Sequence, residues 1–415
     1  MTVVGKEKKT LKLNIDKAID IIFFVVLLMV VSSVTYVHFY NQVYGSQAAH
    51  HSDMKAYILE MQGLDSGYSF PYPIFFKLAA FIHLFTAPET AVAIATVLLN
   101  SFSMIILKLA FNYFALKDLK EAWREKRWLA GILLSVLAGG MLFVSMLYLP
   151  NEIYLPGIRF KYMGVFSPNP FHNATYMAAR PFSILAFLWY VKLLPQYEEK
   201  EVKLQDYLLF ALFLLLATMT KPSFTLILVG TAGIIMLYRM IRSKFRNFVP
   251  TVKLGLCFIP TFIDLLYQYK GVFVPEEGAE RGVGFCFGEV WGLYCGNIPF
   301  AVGLAMGFPL LVLILNWKQL KDNVMYRFSW QMYLMSFAMA FLLYEKGFRK
   351  PDFNFSWGYM YGIFFAFFAA LLVLLKVTAE KKNRILTAVQ WLGFAAHLGC
   401  GIYYFLGIFK GQMYY

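Results

Sequence analysis

His50, His51 and Asp53 stand close together early in the chain, and Tyr57 follows Asp53 by four positions. A carboxylate in such a place can take the proton of an attacking hydroxyl, because an aspartate is ionised at neutral pH. On a helix, a spacing of four sets Tyr57 on the same face as Asp53. Asp53 also fits a plain helix cap for a turn that begins at Met54. Imidazole and carboxylate are ordinary ligands of zinc or manganese, so His50, His51 and Asp53 are a minor metal alternative. Adjacent histidines rarely both reach one ion, and no metal cofactor is expected.

Three further stretches carry groups suited to a phosphorylated lipid, and a fourth carries a carboxylate inside an apolar run. In "GVFSPNPFHNATYMAARPFSIL" (Gly164–Leu185), His172, Asn173 and Arg180 are the donor types that a phosphate leaving group needs. Arg180 is spaced to share a helical face with His172 if the helix starts that early; its alternative is snorkelling to headgroups. In "TMTKPSF", Lys221 either binds lipid phosphate or anchors the chain at the interface. Asp264, in "PTFIDLLYQY", sits about one turn inside an apolar run, where a carboxylate normally faces a cavity or a partner. Finally, "YEKGFRKPDFNFSWGYMYG" mixes Arg349 and Lys350 with Phe353, Phe355, Trp357 and Tyr359. Arginine and lysine grip phosphate while aromatic faces stack on sugar rings, although an interfacial aromatic belt has the same composition.

The elements that position these residues are membrane spans. Of the 415 residues 60% are hydrophobic and 15% charged, more apolar surface than one soluble core can hide. The net charge of +14 lies in short connecting loops, and no basic face of a soluble domain points to nucleic acid. The basic N-terminus followed by Ala18–Phe39 reads as an uncleaved signal anchor. Eleven apolar stretches reach spanning length: Ala18–Phe39, Ala91–Leu116, Leu129–Leu149, Tyr176–Leu194, Leu204–Thr220, Ser223–Leu237, Thr251–Tyr267, Ile298–Asn316, Phe328–Tyr344, Tyr359–Val377 and Ile385–Phe409. Ile74–Ala87, bracketed by Pro73 and Pro88, rises only about 21 Å as a helix and is expected to lie in the interface.

That choice places the basic loops "KDLKEAWREKR", "YRMIRSKFRN", "NWKQLKDNVMYR" and "EKKNR" on the cytoplasmic side with the N-terminus. The expectation is one all-α integral-membrane domain, residues 1–415, with its functional loops on the outer face. Those loops include residues 40–88, which hold the interfacial helix, and 268–297, glycine-rich enough to be a lid. Cys286 and Cys295 share the second of these loops and are either paired or free.

The order of a first span, an acidic residue at Asp53, the aromatic stretch "YSFPYPIFFKLAAFIHLF" and a long second span resembles the GT-C superfamily of membrane glycosyltransferases. The resemblance covers the topology and the first third of the chain. It implies a plasma (inner) membrane enzyme that moves a sugar from a polyprenyl-phosphate donor to a cell-envelope glycan or lipid-linked acceptor, with inversion. Asp53 would be the general base. Relatives that use a metal carry a paired acidic motif missing here, which implies the metal-independent branch. Two rivals stay open: a polysaccharide repeat-unit polymerase or ligase, and a lipid-glycan flippase or small-solute transporter whose intramembrane site would be Asp264. No Walker A loop, Gly-x-Ser-x-Gly elbow or HExxH helix is present.

Overall fold

No glycine or proline interrupts Lys6 to Tyr44, and a single helix, α1 (Val3–Tyr44), runs through it. At 1.5 Å per residue its 42 residues rise roughly 63 Å, about twice a hydrocarbon core. The computed structural model describes residues 3–150, 158–199, 201–272 and 282–412, with side chains from Ile15 onward. The 273–281 part of the expected lid lies outside the described residues.

Pro73 and Pro88 each open a helix, where the missing N–H costs nothing: α3 (Pro73–His83), after a short α2 (Met54–Met61), and α4 (Pro88–Phe111). α4 continues through a π turn (Asn112–Leu116) into α5 (Lys117–Ala122). α6 (Trp128–Gly140), α7 (Ala174–Leu193), α8 (Leu204–Thr220) and α9 (Ser223–Arg242) follow. Next come α10 (Phe248–Leu256) and α11 (Ile259–Val272), bent by 50° at their junction. Beyond them lie β1 (Val283–Phe285), α12 (Glu289–Gly292), α13 (Ile298–Leu315), α14 (Gln319–Asp322) and α15 (Val324–Leu342). The chain continues through β2 (Leu343–Glu345) and α16 (Ser356–Glu380) to α17 (Arg384–Phe409). β1 and β2 pair antiparallel, Gly284 opposite Tyr344.

Among the described residues six helical stretches are long and apolar enough to cross a membrane: Ile15–Tyr44, Pro88–Ala122, Ser223–Arg242, Ile298–Leu315, Gly347–Glu380 and Arg384–Phe409. The bent α10–α11 pair makes a seventh if it counts as one span. Ile21, Ile314 and Leu392 keep more than 60% of their surface uncovered, as a lipid-facing wall requires. The protein is therefore nearly all-α and membrane-embedded.

The clearest departure from the eleven expected stretches is Leu129–Leu149. Its helix stops at Gly140, and residues 141–149 unwind although Met141, Leu142, Val144 and Met146 are fully buried. Irregular backbone at such depth persists only if its polar groups find partners inside the protein. Asn169 supplies two of them, its Nδ2 donating to Met141 O at 3.0 Å and Val144 O at 2.9 Å. The Ser145 and Leu147 N–H groups donate to His397 O and Leu304 O. His397 completes the tie, with Nδ1 2.6 Å from Ser145 O and Nε2 accepting the Phe308 N–H, so the ring proton sits on Nδ1. A second irregular stretch, residues 158–173, packs beside this one and carries the candidate residues toward α7.

α16 is apolar on every side and buried on every side, the expected behaviour of a central helix. Gly362 lets α15 approach it: a Cβ there would overlap Ser336 Oγ and lie 3.3 Å from Tyr333 Cα. Gly362→Ala is expected to cost about 2 kcal/mol through overpacking, seen as a lower midpoint in thermal size-exclusion of the purified protein; an unchanged midpoint would mean that the helices separate freely.

Candidate active site

Asp53 occupies the position before α2 but caps nothing with its side chain. Its N–H instead donates to His172 O at 3.2 Å, which stitches the start of α2 to the irregular stretch before α7. Its carboxylate Oδ2 accepts from Asn173 Nδ2 at 2.6 Å and from Tyr57 OH at 3.2 Å. The helical spacing of four does bring Tyr57 back onto Asp53. Oδ1 makes no hydrogen bond among the described residues, so one carboxylate oxygen is held and the other is available. Tyr57 is fully buried; burial, and after it the Asp53 charge, holds its phenol well above the ordinary range, so it stays a donor.

Asn173 has two tasks. Its Oδ1 accepts from Tyr176 N–H at 2.9 Å as the cap of α7, and its Nδ2 grips both Asp53 and Tyr57 OH, the latter at 2.7 Å. Thr175 Oγ1 donates to Asn173 Oδ1 at 3.0 Å and accepts from Lys221 Nζ at 3.2 Å. The chain Asp53–Asn173–Thr175–Lys221 thus links carboxylate to ammonium through neutral groups.

Lys221 lies where α8 ends before Pro222, only 6% exposed. Its Nζ sits 4.6 Å from the Trp357 ring centroid and 5.7 Å from that of Tyr72. Among the described residues it forms no ion pair. Burial is the main reason its pKa drops to about 8, with Arg349 pushing the same way and Asp53 and Glu345 opposing. The His172 ring lies 5.3 Å from that of Trp357, tilted by 35°, and has Nδ1 2.6 Å from Tyr162 OH; burial is the main reason its pKa falls to about 4, with Asp53 opposing and Lys221 adding to the fall, so the ring is neutral at pH 7.

Asp53, Tyr57, Tyr72, His172, Asn173, Lys221 and Trp357 line one cavity of about 810 Å³, with Thr175 behind them. Its far wall is apolar, with Leu226 and Ile227 of α9, Leu265 and Leu266 of α11, and Met339 of α15. Arg349 reaches the cavity already engaged, 3.1 Å from Asp352 and 3.4 Å from Glu345. The β1–β2 ribbon contributes Val283, Leu343 and Glu345 to the rim, so the described part of the expected lid is tied down by a strand pair.

Three expected site residues lie elsewhere. Arg180 neither faces the cavity nor snorkels. It is fully buried, because α7 begins only at Ala174 and turns it into the protein, where it donates to Pro168 O at 3.2 Å and Asn100 Oδ1 at 3.4 Å over the Phe364 ring. It thereby fixes the stretch that presents His172 and Asn173. Asp264 is outside the cavity wall and accepts from Gln268 Nε2 at 2.7 Å within its own helix. Lys350 is drawn outward by Glu289, 2.6 Å away. Nor do His50, His51 and Asp53 form a ligand set: no three His, Cys, Asp or Glu side chains among the described residues converge to hold a metal ion. Cys286 and Cys295 are both free thiols, directed at the Phe341 and Asn297 carbonyls.

Arg180→Met is expected to cost about 1–3 kcal/mol of stability, since two buried acceptors lose their donor, and to weaken activity only through misplacement of His172 and Asn173. Thermal denaturation beside a donor-binding curve checks this; a folded variant with unchanged stability would remove the positioning role.

Sequence reasoning missed Tyr72, Tyr162, Thr175, His38 and Gln42, all close to this cavity. The last two carried a signal: His38 is a polar residue inside the first apolar run, and Gln42 follows one helical turn later, groups that are expensive at such depth unless they face a partner or a cavity. No protein-family model matches the chain, and no curated protein matches it significantly. The site must be read from its own chemistry.

Proposed function

We infer that the protein is a GT-C-like membrane glycosyltransferase acting at the outer face, with a polyprenyl-phosphate-linked sugar as donor and a cell-envelope glycan or lipid-linked molecule as acceptor. One observation carries the reading: a buried lysine without a carboxylate partner shares a cavity with a half-free carboxylate. A buried ammonium is costly unless an anion joins it, so Lys221 calls for an anionic ligand. A lipid phosphate meets that need, and the apolar wall from Leu226 to Met339 suits its hydrocarbon.

Asp53 Oδ1 takes the proton of the acceptor hydroxyl as its oxygen bonds to the anomeric carbon. The bond from that carbon to the phosphate oxygen breaks on the opposite face, and its electron pair leaves with the phosphate. Lys221 neutralises the charge that gathers there. Asn173 and Tyr57 hold the other carboxylate oxygen and aim the base. His172 and Trp357 offer flat faces to the sugar.

Asp264, the residue the transport alternative would use, is not among the residues that line the cavity, which gives that alternative less support. The deciding experiment incubates purified protein in nanodiscs with a panel of polyprenyl-phosphate hexoses and cell-envelope glycans, followed by mass spectrometry. Release of bare polyprenyl phosphate together with a glycan heavier by one hexose supports the reading. Movement of intact donor between leaflets, with no bond broken, would overturn it; products many units long would turn it into a polymerase.

A further inference from the structure

The end of the cavity formed by α1 has no place in the chemistry above. His38 and Gln42 line it from α1, with His50 beyond; His38 is 1% exposed and Gln42 3%. Gln42 Nε2 donates to Phe171 O at 2.8 Å and lies 2.9 Å from His38 Nε2. His38 Nε2 is itself 3.2 Å from Phe171 O, so it either accepts from Gln42, with the ring proton on Nδ1, or donates to that carbonyl, with Nδ1 an acceptor. In both tautomers the buried His38 Nδ1 and the buried acceptor Gln42 Oε1 are without partners among the described residues. His50 Nδ1 is a third such atom. Buried polar atoms normally have partners, and three unpaired ones around one end of a cavity mark a place for a ligand.

We propose that this end is the acceptor subsite and reads the hydroxyls of an uncharged carbohydrate. A sugar hydroxyl both donates and accepts, so it meets an imidazole nitrogen in either tautomer beside an amide C=O. No lysine, arginine or carboxylate bonds to His38 or Gln42 among the described residues, so nothing there favours an ion.

The order along residues 171–175 sets the role. Phe171 O is held by Gln42, His172 O by the Asp53 N–H, and Thr175 Oγ1 by Lys221. Along this stretch the contact to the base falls between the contact to the His38–Gln42 pair and that to the cation. An inverting transfer needs this sequence, with the acceptor on the base's side and the phosphate on the other. The inference rests on the glycosyltransferase reading for the acceptor role, but the unpaired atoms call for a hydroxylated ligand on their own.

The test uses the full chain in nanodiscs, loaded with a polyprenyl phosphate that carries no sugar. Free glucose, mannose, galactose, arabinose and N-acetylglucosamine are titrated by saturation-transfer NMR. At least one is expected to bind, about tenfold more weakly to Gln42→Met, with binding of the bare lipid unchanged. Where Gln42→Met does not fold, His50→Ala is measured by the same criterion. No binding of any sugar to the wild-type protein, or wild-type binding by the folded variant, overturns the subsite. Displacement of the free sugar by a polyprenyl-phosphate hexose would assign these atoms to the donor sugar and overturn the acceptor role. Gln42-dependent sugar binding by a protein that never binds the lipid would leave the subsite standing and remove the polyprenyl donor instead.

Discussion

Asp53→Asn will lower the transfer rate by about 10²–10⁴-fold, the range general-base catalysis usually spans, while donor lipid binds within a factor of a few. The substitution changes little besides basicity. An asparagine oxygen can still accept from Asn173 Nδ2 and Tyr57 OH, and the backbone bond from residue 53 to His172 O is untouched. What disappears is the oxygen able to keep a proton. The measurement is a single-turnover assay with purified protein and an active donor, alongside equilibrium binding of that donor. A rate within tenfold of wild type would remove Asp53 as base; loss of binding equal to the loss of rate would make it a ligand of the substrate instead.

The pairing of Asp53 with Tyr57 was legible because both lie on one short helix, whose geometry follows from local spacing. The positions of Pro73 and Pro88 were legible for the same reason, since a proline accepts the first turn of a helix. The error at Leu129–Leu149 has a different origin. Hydropathy reports that a stretch prefers lipid to water, but it does not distinguish a helix from irregular backbone whose polar groups are satisfied by distant partners. Residues 129–149 are apolar enough to span; the carbonyls and amides of 141–149 are met by Asn169, Leu304 and His397, at separations no local rule sees.

Arg180 was misjudged through a helix boundary. With α7 starting at Asn173's cap instead of upstream of His172, the arginine turns inward to Pro168 and Asn100. Arg349 and Lys350 show the limit of composition. They are adjacent, and pairing alone sorts them, one to the cavity rim with two carboxylates and the other outward to Glu289. Lys221 was found because a lysine before proline between apolar runs is conspicuous, but its burial without an ion pair among the described residues is a tertiary fact, and that isolation supports the role proposed for it.

The same isolation makes Lys221 a source of pH dependence. Burial brings its pKa down to about 8, so in the free protein the ammonium is largely charged at pH 7 and is lost as the pH rises through 8. His172, lowered to about 4, is already neutral there, and Tyr57 and Tyr72 are pushed upward by burial, so they keep their protons across this window. The profile of kcat/KM for donor lipid, which reports groups of the free enzyme, is therefore expected to fall above about pH 8. The kcat profile should extend further into the alkaline range, because a bound phosphate favours the charged lysine and raises its pKa. Lys221→Met should weaken donor binding by about two orders of magnitude at pH 7, consistent with a lost charge-assisted contact of about 3 kcal/mol. Lys221→Arg should keep binding and abolish the alkaline fall, since a guanidinium stays charged throughout. A fall that persists unchanged in Lys221→Arg would assign it to another group, and Lys221→Met with wild-type donor affinity would show that the buried cation answers to some other anion.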